Sequence, residues 1–225
     1  MLNVYDKETD WMAYSLMIAP IDFAGHQKIA ARQFFDNYAF FELTPKQAKE
    51  YFLWYKSEIP NRIALLWEHM KQERPEMEPF DYSPESLIPL WEWYETKIEQ
   101  VPMTAKEIES RVRIFPKYLE SEIRKNTKKF TDKTLSLALD ISIYLGEVVV
   151  KNYPHLRWNY RTRPKREFSV YRPVIDGLND KMTFEPSQVL FVLMLKSTKE
   201  QNRNRLYDLY HHWENEYFIP SKPQK

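Results

Sequence analysis

The sequence predicts an α+β fold, predominantly α-helical, with one small antiparallel sheet, and three observations lead to that expectation. Helix starts are marked by capping patterns at Thr44-Pro45-Lys46-Gln47 and Thr104-Ala105-Lys106-Glu107. Residues 132–151 form an apolar run with little polar face, as a helix enclosed by protein requires. Residues 155–161 and 167–174 are rich in aromatic and β-branched side chains and flank the polar turn Thr162-Arg163-Pro164-Lys165. That arrangement predicts a hairpin over about 155–174, packed on the helix at about 132–151.

Residues 1–43 are apolar and aromatic without a clean period, so their fold is left open. After the cap at Thr44, Ala48, Tyr51, Phe52 and Tyr55 share one helical face. Ile59-Pro60 is expected to break that helix, because proline lacks the amide donor, and a second helix carries Ile63, Leu66, Trp67 and Met70 to about Glu73. Residues 74–82 hold three acidic side chains and two prolines and are expected to be a solvated loop. Ser83-Pro84-Glu85 opens a further helix with Leu87, Trp91, Tyr94, Ile98 and Val101 on its face.

The helix beginning at Thr104 should be kinked or interrupted at Pro116, ahead of a basic stretch at 124–129. Beyond the hairpin, a third short strand is expected near 182–184, then helices from Pro186, with Val189, Leu190, Val192, Leu193 and Leu195, and over 203–217. We therefore expect one domain over residues 1–219, helical over about 44–130 and α+β over about 131–217, with a flexible tail at 220–225.

Composition excludes several chemistries. The 225 residues contain no cysteine, which removes disulfides, thiolate metal sites and thiol nucleophiles and fits a reducing compartment. The three glycines, Gly25, Gly146 and Gly177, are too few and too scattered for a P-loop or a dinucleotide fingerprint. The polar, acidic start offers no signal peptide and no apolar run reaches the ~20 residues of a membrane span, so a cytoplasmic protein with no membrane partner is expected. No histidine pattern completes a metal site, and neither a metal nor a cofactor is expected. The net charge of +1 conceals a division: residues 1–100 carry 10 basic and 17 acidic side chains, and residues 101–225 carry 23 and 15.

One chemical candidate remains. Asp140, Tyr144, Glu147 and Lys151 are spaced four, three and four residues apart and share a helical face. Asp140 and Glu147 sit ~10 Å apart along the axis, a separation that side chains can shorten toward an acid and base couple. The structural alternative has Asp140 bonded to a buried amide or an arginine, with Glu147 and Lys151 forming an i,i+4 pair. No catalytic residue is assigned on this spacing alone.

The hairpin interleaves Arg157, Arg161, Arg163, Lys165, Arg166 and Arg172 with Trp158, Tyr160, Phe168 and Tyr171. By strand alternation the aromatic side chains should pack on the central helix while the arginines face water. Partner-binding candidates are Arg157, Trp158, Arg161, Arg163, Arg166 and Arg172, for an acidic protein first and for nucleic acid second.

The segment 134–198, with Tyr144-Leu145-Gly146-Glu147, the strand around Trp158, Arg172-Pro173-Val174-Ile175 and Pro186-Ser187-Gln188-Val189-Leu190, resembles a loose group of uncharacterised bacterial proteins, some of them immunity-like. The resemblance implies a bacterial or phage accessory protein and transfers no catalytic residue. The expected function is binding of another protein without catalysis, through the acidic stretch 68–85 or the basic hairpin. Two alternatives remain: nucleic-acid binding through the hairpin and residues 124–129, and an enzyme built on the Asp140 and Glu147 carboxylates.

Overall fold

A computed structural model describes residues 43–114, 117–162, 170–178 and 182–219. The expectations for residues 1–42, Pro116, the hairpin tip and the tail from Pro220 lie outside these described residues.

The first helix, α1, runs from Pro45 to Glu73 without interruption. Its start is the expected capping box: the Thr44 hydroxyl accepts from the Gln47 amide, and the Gln47 side chain accepts from the Thr44 amide. The expected break at Ile59-Pro60 does not occur. The buried stripe continues through Tyr55, Ile59, Ile63 and Leu66 with helical spacing, and Pro60 lies on the exposed side. Burial of one continuous face outweighs the single hydrogen bond that proline removes.

Ser83 caps a short 3-10 turn that leads into α2, Leu87–Glu95. Here the helix is shorter than expected, because Val101 belongs to a strand. Strand β1, Gln100–Pro102, pairs antiparallel with β2, Lys128–Phe130, placing Val101 opposite Lys129. Between these strands lie α3, Ala105–Ile114, and α4, Glu120–Lys125. The capping box at Thr104 and Glu107 is present.

Helix α5, Asp132–Asn152, is the central element, and Thr131 caps it. Its buried residues fall on every side of the helix, as expected of a helix enclosed by protein. It packs on α1, on α2, on the hairpin and on α6, Pro186–Ser197. The hairpin consists of β3, Arg157–Tyr160, and β4, Pro173–Asp176, with Trp158 opposite Ile175. Of the expected second strand at 167–174, residues 167–169 lie outside the described residues, and Tyr171 adopts a left-handed conformation (φ +62°) that turns the chain ahead of Pro173, where β4 begins. The expected third strand is reduced to one antiparallel bridge between Phe184 and Ile175. Helix α7, Arg205–Trp213, continues into a π-helical turn, Glu214–Phe218, and packs on α2. The fold is therefore a predominantly helical α+β architecture with two small two-stranded antiparallel sheets.

Candidate functional site

The polar stripe of α5 serves as the structural anchor of three neighbouring segments. Asp140 is fully buried, and the Nε of Arg62, itself buried on α1, donates to it at 2.5 Å. Tyr144 accepts the backbone N–H of Tyr82 at 3.1 Å and shares a hydrogen bond with the Ser86 hydroxyl at 2.6 Å. Burial pushes the Tyr144 hydroxyl up to about 12, so it holds its proton. Glu147 accepts from the Trp158 indole N–H at 2.7 Å. Lys151 lies 3.2 Å above the Tyr82 ring, and Asn152 donates to the Tyr82 carbonyl at 2.8 Å.

Asp140 meets an arginine, as the structural alternative had it, but Glu147 and Lys151 have partners other than the expected one. Glu147 and Lys151 do not pair with each other: one holds the hairpin and the other holds the loop. Asp140 and Glu147 are engaged by separate partners, Arg62 and Trp158, and form no acid and base couple. Tyr82 shows what the loop contacts accomplish. Its left-handed backbone (φ +63°) costs about 1–3 kcal/mol for a non-glycine residue and persists only when the surroundings hold it. Tyr144, Lys151 and Asn152 supply that hold.

In the hairpin, Trp158 lies against Gly146 of α5, where an added Cβ would overlap the indole ring, and meets the Tyr55 ring edge-on at 5.4 Å. Tyr160 packs on Phe52 of α1. Two residues expected at a partner surface must be withdrawn from it. Trp158 is only 7% exposed and Arg172 is 0% exposed, so neither can meet a partner. Arg172 instead pairs with Glu185 at 2.5 Å, and Ser187 donates to the same carboxylate. Burial raises Glu185 above the ordinary carboxylate range in spite of that arginine. The alternation argument fails at Arg172 because it lies in the turn ahead of β4, where strand periodicity does not apply.

Arg157 remains exposed, opposite Asp176, and Arg161 is half-buried. Burial pushes Asp176 up, but the Asn159 amide, the Gly177 N–H and the two arginines together hold it below its ordinary value. Arg163 and Arg166 lie outside the described residues.

Charge left uncompensated on the surface lies elsewhere. Glu68, Glu76, Glu78 and Glu85 are exposed and have no ionic partner among the described residues. Glu73, between them, is held below its ordinary value against the effect of burial by Lys97 and the Trp93 indole. On the basic side, a cleft of about 530 Å³ lies where the end of α6 meets β2. Lys125, Lys128, Lys196 and Lys199 line it, and no carboxylate does. Lys125 pairs with Glu122 at 2.9 Å, while the other three lysines have no ionic partner among the described residues.

Half of this cleft, the basic stretch at 124–129, is visible in the sequence, where Val192 and Leu195 read only as apolar residues of the helix from Pro186. They are 39% and 40% exposed. The missed signal is helical: Val192, Leu195 and Lys196 follow the i, i+3, i+4 spacing of one face of α6, with Lys199 in the turn just past its end, while Leu190, Leu193 and Met194 form the buried face.

Among the described residues no helix is long and apolar enough to cross a membrane, and no cluster of three or more His, Asp or Glu side chains is placed to hold a metal ion. No family model, no curated protein and no solved structure matches the chain.

Proposed function

We propose that this chain is a non-catalytic binding protein, an immunity-type accessory protein of a bacterium or phage that acts in the cytoplasm by covering a basic site on another protein. One observation supports the reading above the rest: Glu68, Glu76, Glu78 and Glu85 of the acidic stretch 68–85 are exposed and have no ionic partner among the described residues, and the loop within the stretch is held in place. Glu76, Glu78 and Glu85 flank the strained Tyr82, which Tyr144, Lys151 and Asn152 fix to the central helix. A charged loop already ordered before binding loses less conformational entropy when it docks, and its charge steers the encounter. The carboxylates considered for acid and base work are spent on holding α1 and the hairpin to α5.

The test is affinity capture from nuclease-treated bacterial lysate with the wild type, a Glu76→Lys/Glu78→Lys variant and an Arg157→Glu/Arg161→Glu variant. A discrete protein retained by the wild type and lost on reversal of the glutamates is the expected result. Equal retention by that variant overturns the acidic face. Retention that depends on the arginines and disappears with nuclease replaces the reading with nucleic-acid binding.

A further inference from the structure

The lysine cleft is the second uncompensated surface, and it lies on different elements from the acidic stretch. We propose that it docks an acidic, amphipathic segment of a partner protein, with carboxylates meeting Lys128, Lys196 and Lys199 and aliphatic side chains covering Val192 and Leu195.

Charge complementarity argues for the occupant's sign. Four ammonium groups surround the cleft and no carboxylate lines it. Lys196 stands in the last turn of α6, so part of its charge answers the negative end of that helix. Lys128 has no such counterpart. Lys125 is tied to Glu122 only through a pair whose side chains are about 70% exposed, and such pairs contribute little and exchange readily.

The floor of the cleft argues for the occupant's class. Val192 and Leu195 offer aliphatic surface on the same face of α6 as Lys196, with Lys199 in the turn just beyond, so a docked segment must bring apolar side chains between its acidic ones. A nucleic acid would find little here to recognise it. No aromatic ring lines the cleft for a base to stack on, and no arginine fork is present to bind a phosphate in bidentate fashion. The cleft is a different surface from the acidic face, and docking there stands or fails independently of what the acidic face binds.

The probe is a short fluorescein-labelled peptide of repeated Glu-Glu-Leu, followed by anisotropy at low salt. The same peptide with Ser in place of Leu and an oligo(dT) of equal charge serve as competing ligands. The wild type should bind the leucine peptide more tightly than either. Lys128→Glu/Lys196→Glu/Lys199→Glu should weaken that binding at least about tenfold, and Val192→Ser/Leu195→Ser by a few-fold, as expected for a contact shared between charge and apolar cover. Should the triple reversal fail to fold by circular dichroism, the Lys→Gln triple variant replaces it.

Absent binding, or equal binding by the wild type and the cleft variants, overturns the proposal. Equal affinity for the serine peptide reduces the surface to bulk charge and also overturns it. Tighter binding of oligo(dT), lost in the lysine variant, assigns the cleft to nucleic acid instead. Glu76→Lys/Glu78→Lys should bind the peptide like the wild type while losing the captured partner, so failure of the cleft and failure of the acidic face read out separately.

Discussion

The stripe on α5 and the face at the end of α6 are written in the same code, polar and charged side chains at helical spacing, yet they end in opposite states. Asp140, Tyr144 and Glu147 turn toward neighbouring segments and each has a partner, while Lys151, though exposed, lies over the Tyr82 ring. Lys196 and Lys199 turn toward water, beside exposed Val192 and Leu195, with no ionic partner among the described residues. The difference teaches where to look for function. A charge taken out of water requires a partner and is thereby committed to structure, whereas a charge in water without one remains open to a ligand.

Breaking the buried side of this comparison should have the largest effect. Arg62→Met removes a buried cationic partner of the Asp140 carboxylate and should cost about 3–5 kcal/mol in denaturant unfolding. Arg62→Met/Asp140→Leu, which removes both charges, should recover part of that loss. If the single variant is as stable as the wild type, the ion pair does not hold α1 to α5.

Gly146→Ala should come next. The added methyl meets the Trp158 ring, and overpacking of this kind costs about 1–3 kcal/mol. Thermal unfolding reads the loss, and a red shift of tryptophan emission would show displacement of the indole that Glu147 anchors.

Glu107 lies between the two extremes, half-buried at the start of α3. The Lys129 ammonium, followed by the Thr104 N–H, holds its carboxyl down at about 2 from the ordinary 4.5. A carboxyl lowered in the folded state adds stability that is fully present above its unfolded value and is lost as pH falls through its folded value. The difference in melting temperature between wild type and Glu107→Gln should therefore be constant above about pH 5 and should shrink toward zero as pH approaches about 2. A difference that stays constant across that window would show that Lys129 and Thr104 do not hold the carboxylate.

Smallest of all should be the stability effect of the cleft lysines. Lys196→Glu and Lys199→Glu, on the exposed face, should each change unfolding free energy by no more than about 0.5 kcal/mol. A loss beyond 1 kcal/mol, by the same measure, would place these lysines with the structural charges of α5.

How much of the molecule was legible depended on the distance over which each decision was made. The caps at Thr44, Thr104 and Thr131 involve residues three apart, and local sequence contains both partners. The continuity of α1 through Pro60 was not readable as a local rule, because the stripe on both sides of the proline packs against other elements. Strands β1 and β2 escaped notice for a related reason. Each is three residues long, with Lys128 and Lys129 where a sheet pattern would show apolar residues, and each is defined only by its pairing with the other.

The site divides in the same way. Spacing alone put Asp140, Tyr144, Glu147 and Lys151 on one face, but Arg62 is 78 residues from Asp140 in the chain, and nothing local announces their pairing. Arg172 reads as one more basic residue of the hairpin until the fold buries it beside Glu185.

By itself, the sequence determined the class, the helix starts, the apolar character of the central helix, the place of the hairpin and the absence of thiol chemistry, since composition, capping and periodicity are local properties. Tertiary structure alone decided which charges are structural and which are left open. Whether a side chain is desolvated, and what it then pairs with, depends on segments distant in the chain that packing of the core brings together.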